Sequence, residues 1–568
     1  VLLLCLAVGQ VGCDPPKPIE GNTDTNPPVK VELSVAQAHS TKVKFLNRAV
    51  PAGVNFTPGN GQQAGHFSIL ESLGSGVALF DYDRDGHLDV FAPGGGTYNE
   101  EPRAIGLPPA LFRNEGAWQF TNVTPTTRLT TPDFYTHGAH IGDYDNDGWP
   151  DILLTGYRGL ALWRNLGDGT FDDVTDSAGL TERVWSTTAA WGDLDGDGLL
   201  DLYVTHYVDW SFQKHPLCFT ENRQREVCSP GKFQGLVDAI YRNVGDGTFE
   251  DKTKGWGVDE AGMGLSVILA DVDLDSHLDV YVANDTTPNL LYRNQGNGKL
   301  NEIGIISGTA LSDSGTADGS MGIAVGDANR DGRPDLFVAN YEAQFFALYQ
   351  NLGETRFDHV STRFGITNVG NLYVGFGTAF LDFDADGDED LFVTNGHVMR
   401  QPSQSPEMQS PLVLENLSGA EFVNVSAQAG IYCQATHMGR GLAVGDIDGD
   451  GDQDLAVSHM NQPLALLSNE TPLAGAWLRL RLIGTQSNRD AVGATVIVTT
   501  DRGVLFRQIT GGGSYLSSSA PEIFIGLGNE TIKTIEIRWP AGETDTIDEL
   551  PANRSWIVRQ NHIILPDP

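Results

Sequence analysis

The chain has 568 residues, 67 of them glycine, and carries 74 acidic residues against 36 Lys and Arg, for a formal net charge of −38. That length allows more than one domain with its own core. No basic stripe is visible, which excludes nucleic acid as a partner, and the many glycines with few helix-period apolar runs favour an all-β chain.

The first stretch, Val1-Leu-Leu-Leu-Cys-Leu-Ala-Val, is apolar but too short to span a bilayer as a helix. It reads as the core of a secretory signal whose basic start is missing, which puts a truncated signal peptide at residues 1–12. Gln10-Val-Gly-Cys13 resembles the end of a bacterial lipoprotein signal, so Cys13 is the expected lipidation site, although Gln10 stands where such signals carry leucine. Plain secretion with cleavage nearby is the other reading. Residues 13–42, rich in Pro, Thr and Asn, read as a flexible tether. The expectation is an exported protein, either a lipoprotein of the bacterial cell envelope or secreted, touching the membrane only through a lipid on Cys13.

The stretch Asp81-Tyr-Asp-Arg-Asp-Gly-His-Leu-Asp89 follows the pattern D-x-D-x-D-G-x-x-D. Its ligand positions are Asp81, Asp83, Asp85 and Asp89. The pattern returns at Asp143, Asp145, Asp147, Asp151; at Asp193, Asp195, Asp197, Asp201; and at Asp271, Asp273, Asp275, Asp279. It appears again at Asp327, Asn329, Asp331, Asp335; at Asp382, Asp384, Asp386, Asp390; and at Asp446, Asp448, Asp450, Asp454. Ca²⁺ takes six to eight oxygen ligands, and positions 1, 3, 5 and 9 supply most of them, with a backbone carbonyl near position 7 adding another. One such loop could be a solvated Asp/Gly turn; seven in register make a repeat protein. The expected cofactor is Ca²⁺, up to seven ions, each neutralising clustered carboxylates and pinning a turn between two strands. Much of the net charge then belongs to metal sites. An EF-hand is excluded because position 12 of the first loop is Ala92, inside a strand-like run. Mg²⁺ and Mn²⁺ are the competing ions. Ser276 replaces the loop glycine of the fourth repeat, and Asn329 lowers the charge of the fifth.

Each loop has an apolar run on either side, such as Gly76–Phe80 before and Leu88–Ala92 after. A third run follows (Leu111–Asn114, Leu162–Asn165, Ile240–Asn243, Leu291–Asn294, Leu348–Asn351). Then come a Gly-Asp-Gly type turn and a fourth run, as at Phe171–Val174. Four antiparallel strands per repeat predict propeller blades. The seventh repeat lacks its fourth strand, whereas Phe45–Val54 aligns with Phe422–Ile431. The chain therefore reads as a seven-bladed β-propeller over 43–472, closed by an N-terminal strand that hides the sheet edges, with a small C-terminal β domain over 473–568.

These residues resemble the FG-GAP/VCBS repeats of integrin-type propellers, and the phrases around Tyr241–Thr253 and Gly192–Val204 are similar to the cartilage-acidic-protein-like family. Asn488–Ala494, Gly511–Leu516, Gly526–Gly528 and Arg538–Gly542 resemble the ASPIC/UnbV domain that follows such propellers. The resemblance implies a secreted or surface calcium-binding protein and leaves its partner open.

Cys218 and Cys228 are expected to form a disulfide in an oxidising compartment, and Cys433 to be a buried apolar residue. Five residues beyond each loop's last Asp lie Gly94, Gly156, His206, Asn284, Asn340, Asn395 and His459. Read functionally, His206, Asn284, Asn340, Asn395 and His459, with Tyr207 and Trp210 of the following insertion, floor a ligand face opposite the calcium loops; read structurally, they satisfy turn backbone. His137 and His140 are at strand spacing. No G-x-S-x-G, H-E-x-x-H or P-loop is present, and no catalytic residue is assigned. The expected function is a protein- or glycan-binding adhesion module at the cell surface; the alternative is an exported enzyme acting on polysaccharide or another polymer through these insertions.

Overall fold

The computed structural model describes residues 42–100, 103–561 and 563–567. The expected signal peptide, Cys13 and all but the last residue of the expected tether lie outside the described residues. Among the described residues no helix is long and apolar enough to cross a membrane.

The apolar runs flanking the acidic loops form strands, and the fold is all-β. Blade 1 contains Ala78–Phe80, Asp89–Ala92, Ala110–Asn114 and Phe120–Asn122; blade 4 contains Gly264–Ala270, Asp279–Asn284, Leu290–Asn294 and Leu300–Glu302. Equivalent four-stranded antiparallel sheets begin at Tyr135–Gly142 (blade 2), Ser186–Gly192 (blade 3), Ser320–Gly326 (blade 5), Gly375–Leu381 (blade 6) and Gly439–Gly445 (blade 7). These first strands are neighbours in chain order, and that of blade 7 also lies beside that of blade 1. They are buried along almost their whole length, which is why their sequences do not alternate between apolar and charged residues, and the polar side chains they do carry, such as Thr187, Thr188 and Arg440, are hydrogen-bonded. The fourth strand of blade 7 is Phe45–Asn47, paired antiparallel with Ala465–Asn469.

A second device joins the blades. The last residue of every third strand is asparagine, and its buried Nδ2 donates to the carbonyl at position 2 of the preceding blade's acidic loop. Asn165 reaches Tyr82 O (2.9 Å), Asn243 reaches Tyr144 O (2.7 Å) and Asn294 reaches Leu194 O (2.9 Å). Asn351, Asn416 and Asn469 repeat the bond to Val272, Ala328 and Phe383. Asn114 of blade 1 reaches Ile447 O of blade 7 at 2.8 Å. These buried amides are fully used, since the same Nδ2 also bonds within its own blade.

The C-terminal residues form two more four-stranded sheets. One contains Ile523–Gly528, Ala476–Ile483, Arg554–Arg559 and Ile563–Pro566; the other contains Val504–Gln508, Thr495–Thr500, Ile532–Arg538 and Thr544–Ile547. Ala476–Ile483 alternates, with Leu478, Leu480 and Leu482 buried against the other sheet's Val496, Val498 and Ile535, and Arg479 and Arg481 on the opposite side.

The connection between these sheets, Thr510–Pro521, enters the centre of the propeller. Gly511 and Gly512 pair with Leu269 and Ile268 of blade 4. Ser514 pairs with Ile323 of blade 5, Leu516 O accepts from Ala139 of blade 2, Ser518 pairs with Val77 and Leu79 of blade 1, and Ala520 donates to Val444 of blade 7. The Tyr515 ring meets Phe376 of blade 6 edge-on at 4.9 Å. Its hydroxyl donates to Leu73 O, beyond the start of the blade 1 inner strand. The glycine that precedes several acidic loops is explained here: a Cβ on Gly76 would sit 1.6 Å from Leu516 O, and one on Gly322 would sit 1.8 Å from Phe376 O. Blades 3 and 4 place Thr188 and Ser266 there instead, and each hydroxyl donates to a facing carbonyl, Leu265 O and Ser514 O.

Candidate functional site

The acidic loops connect first and second strands, and their shape is set by their own carboxylates. In loops 1, 3, 4, 5 and 6 position 1 accepts backbone N–H groups from positions 5 and 6, as in Asp85 and Gly86 to Asp81 (3.0 and 3.1 Å) and Asp275 and Ser276 to Asp271 (3.0 and 2.8 Å); Asp446 of loop 7 takes positions 4 and 6, and Asp143 of loop 2 accepts neither. Ser276 holds φ 72° at the glycine position, a left-handed conformation that costs a side-chain-bearing residue about 1 kcal/mol. Position 5 accepts the N–H of position 7 in every loop.

Position 9 is different. Asp89, Asp151, Asp201, Asp279, Asp335, Asp390 and Asp454 are buried. In each, one oxygen accepts the N–H of position 2 and the other accepts the N–H of the third-strand asparagine; for Asp89 these are Tyr82 (2.9 Å) and Asn114 (2.8 Å). This carboxylate ties the loop to two strands, and its remaining lone pairs face the loop.

Positions 1, 3 and 5 converge. Ligand atoms of Asp81, Asp83 and Asp85 lie within 4.8 Å of one another, as do those of Asp193, Asp195 and Asp197 and of Asp271, Asp273 and Asp275; in two loops position 9 completes the group, with Asp143 and Asp145 meeting Asp151, and Asp382 and Asp384 meeting Asp390. The donor set fits a hard divalent cation, because buried carboxylate oxygens are left without a hydrogen-bond partner: Oδ1 of Asp83, Asp195 and Asp273, and both oxygens of Asp143. Asp388 and Asp452, at position 7 of the last two loops, carry such oxygens as well. Sequence reading counted four side chains per loop and passed over these two. Burial, then the neighbouring carboxylates, push Asp143 up to about 8 and Asp452 up to about 10. Asp271, Asp327 and Asp446 are pushed up to about 7, with burial the largest cause. Charge crowding of this kind is relieved by a proton or a cation.

In blades 1 to 4 the third strand supplies an arginine to its own loop. Arg113 reaches Asp83 (2.7 Å) and Asp85 (2.9 Å), and Arg164 reaches Asp145 (2.6 Å) and Asp147 (3.0 Å). Arg242 spans Asp195 and Asp197, and Arg293 spans Asp273 and Asp275.

The ligand face expected on the opposite side requires correction. His206, Asn284, Asn340, Asn395, His459, Tyr207 and Trp210 are all buried, and the first five close the connection to the third strand. Asn284, Asn340 and Asn395 donate to Pro288 O, Phe345 O and Ser410 O at 2.8–2.9 Å. His206 Nδ1 and His459 Nδ1 lie 2.7 and 2.6 Å from Val237 O and Pro463 O. Tyr207 donates to Asp285 and Trp210 to His215. The insertions after the second strands of blades 3 and 6, with residues ahead of blade 1 and Arg440 of the blade 7 first strand, roof this end: Arg440 donates to Ser72 O and His397 O, Arg400 pairs with Glu71, and the N–H groups of Arg400 and Gln401 donate to Glu226. A polar ring here satisfies backbone rather than presenting itself to solvent. His137 and His140 are likewise committed: His137 to Gly74 O and the Trp185 indole, His140 to the N–H of Ala189. Cys218 and Cys228 form a disulfide. Cys433 is buried, which pushes its thiol up to about 12.

A family model described as FG-GAP-like repeat matches residues 81–154, 143–204, 271–338, 329–393 and 382–457, and one described as ASPIC and UnbV matches residues 484–563. Cartilage acidic protein 1 of Xenopus tropicalis is 26% identical over 502 residues, covering 84% of this chain and 71% of that protein. The Homo sapiens protein of the same name is 24% identical over 491 residues, covering 83% and 69%. Among solved structures, an Agrocybe aegerita lectin described by its recognition of non-reducing terminal N-acetylglucosamine aligns with a TM-score of 0.39 at 16% identity, covering 71% of this chain and 89% of that one.

Proposed function

Because the chain belongs to the FG-GAP-like repeat family, with an ASPIC and UnbV domain after its repeats, we propose that it is an exported calcium-binding propeller that serves as a protein- or glycan-binding module at the cell surface. The observation that carries the calcium reading is the set of buried carboxylate oxygens left without a hydrogen-bond partner in the acidic loops. Positions 1, 3 and 5 would hold the ion, with position 9 behind them. The ion supplies positive charge that lets the loop keep its turn, and the chain's own groups do the shaping. The Cys218–Cys228 disulfide supports an oxidising compartment. Binding is assigned to outer surfaces, since the axis is filled by Thr510–Pro521 and its far end is roofed.

Elemental analysis and calorimetric calcium titration of the purified protein test the metal reading. Stoichiometric, chelator-removable calcium is expected, and its absence from every loop sinks it. A glycan array and a pull-down from envelope extract, each with and without calcium, test the binding reading.

A further inference from the structure

The C-terminal domain sits on the acidic loops themselves. In loop 2 the Asp143 N–H donates to Asp490 (2.8 Å), in loop 4 the Asp271 N–H to Gln508 (3.1 Å), and in loop 7 the Asp446 N–H to Glu522 (3.0 Å). In loops 5 and 6 the same N–H is taken from within the propeller, by Glu389 and Gln453. Arg479 also reaches Asp446 (2.7 Å) and Arg489 reaches Asp143 (3.5 Å), and the Arg489 N–H donates to Asn146. Loop 6 gives carbonyls to the C-terminal region through Ala385 to Gly528 and Asp384 to Ala474. Beside these bonds the two parts enclose a cavity of about 570 Å³, its walls including Asp81, Arg84, Arg481 and Asp567.

Two features make this seat sensitive to what the loops hold. The bonded N–H groups belong to position 1 of each loop, Asp143, Asp271 and Asp446, whose carboxylates are among the cation's expected ligands, so the seat and the ion site share a residue. Asp490 and Glu522 also bring one more carboxylate each to loops that already carry four or five, an approach that like-charge repulsion opposes until the loop charge is offset.

We propose that cations in loops 2, 4 and 7 hold the C-terminal domain on the propeller, so that their removal unseats it and withdraws Thr510–Pro521 from the axis. The inference rests on the calcium reading above and adds to it a linkage between cation binding and domain docking, which is reciprocal: the seated domain raises cation affinity at these loops.

The experiment is hydrogen–deuterium exchange on the full chain, in millimolar calcium and in chelator. The amides of Gly513, Ser514, Ser518 and Ala520, which bond to four different blades, are the reporters. Chelation is expected to speed their exchange at least ten-fold while second- and third-strand amides stay protected. Paired variants, kept in calcium, cover the case in which chelation unfolds the whole protein. Asp145→Asn with Asp147→Asn empties loop 2. Asp195→Asn with Asp197→Asn empties loop 3, which among the described residues has no hydrogen bond to the C-terminal domain. Only the loop 2 pair is expected to speed the reporters. Equal effects of both pairs, or none from either, overturn the proposal. If ions bind and are lost to chelator with the reporters unmoved, the linkage fails and the calcium reading stands; if no ion binds at all, both fail.

Discussion

In blades 1 to 4 an arginine of the third strand lies across positions 3 and 5 of its own loop, whereas blades 6 and 7 carry Glu415 and Ser468 at that place. Loops 6 and 7 also gain a fifth carboxylate, Asp388 and Asp452. Their positive neighbours come from elsewhere: Arg330 of loop 5 lies 3.5 Å from Asp388, and Arg507 and Arg479 of the C-terminal domain face Glu389 and Asp446. Blade 5 is intermediate, with Gln350 on its third strand but Arg333 of the loop itself pairing with Asp331. One loop pattern therefore exists in two electrostatic settings. The first four loops carry part of their own neutralisation, and the last two depend on a cation and on the docked domain.

The largest test of that contrast is chelation. Each saturated site contributes about 2.7 kcal/mol when the ion stands at a hundred times its dissociation constant. Removing several ions is therefore expected to lower Tm by more than about 10 °C. On warming the chelated protein toward its Tm, exchange measurements should find blades 6 and 7 opening before the other blades; uniform opening around the ring would break the comparison.

The pH dependence should invert with metal. Without ions, the raised carboxyl groups, such as Asp384 at about 7 and Asp446 at about 7, keep protons in the folded state that the unfolded chain releases nearer pH 4. Stability in chelator is therefore expected to fall as pH rises from 5 to 8. In calcium, protons compete with the ion, and Tm should hold or rise over the same window. Parallel melting curves check the sign.

A smaller effect is expected from Glu415→Arg, which copies the arrangement of blades 1 to 4 into blade 6, where Glu415 adds to the repulsion on Asp384 and Asp386. Ion-free stability should rise by about 1 kcal/mol while calcium affinity at that loop falls. The converse, Arg242→Gln in blade 3, should cost about 1 kcal/mol in chelator and strengthen calcium binding there. Chelator melts and calorimetric titrations read both variants.

The acidic loops, the strands around them and the closing strand at Phe45 were legible because each rests on a local pattern repeated in register. The same repetition held a signal that went unread: an asparagine ends every third strand, and its amide ties each blade to the one before. The Asn and His residues at the ends of the second strands left two readings open because a turn fastener and a ligand contact use the same side chains, and only burial separates them. Thr510–Pro521 was the least legible segment. Three glycines and four serines look like a surface loop, and nothing local announces that Gly511 faces Trp191 O and Gly512 faces Val267 O at distances no Cβ would allow.

The pairing of Phe45 with Asn469 spans more than four hundred residues, whereas each of the other six blades takes its own four strands from a single continuous stretch of chain. On a ribosome the early strand must wait, exposed and partnerless, while six sheets form behind it. Its closure entropy is met only once Ala465–Asn469 has been made. Birth order thus makes the last sheet the slow step and the waiting edge the point where two nascent chains would most readily exchange strands.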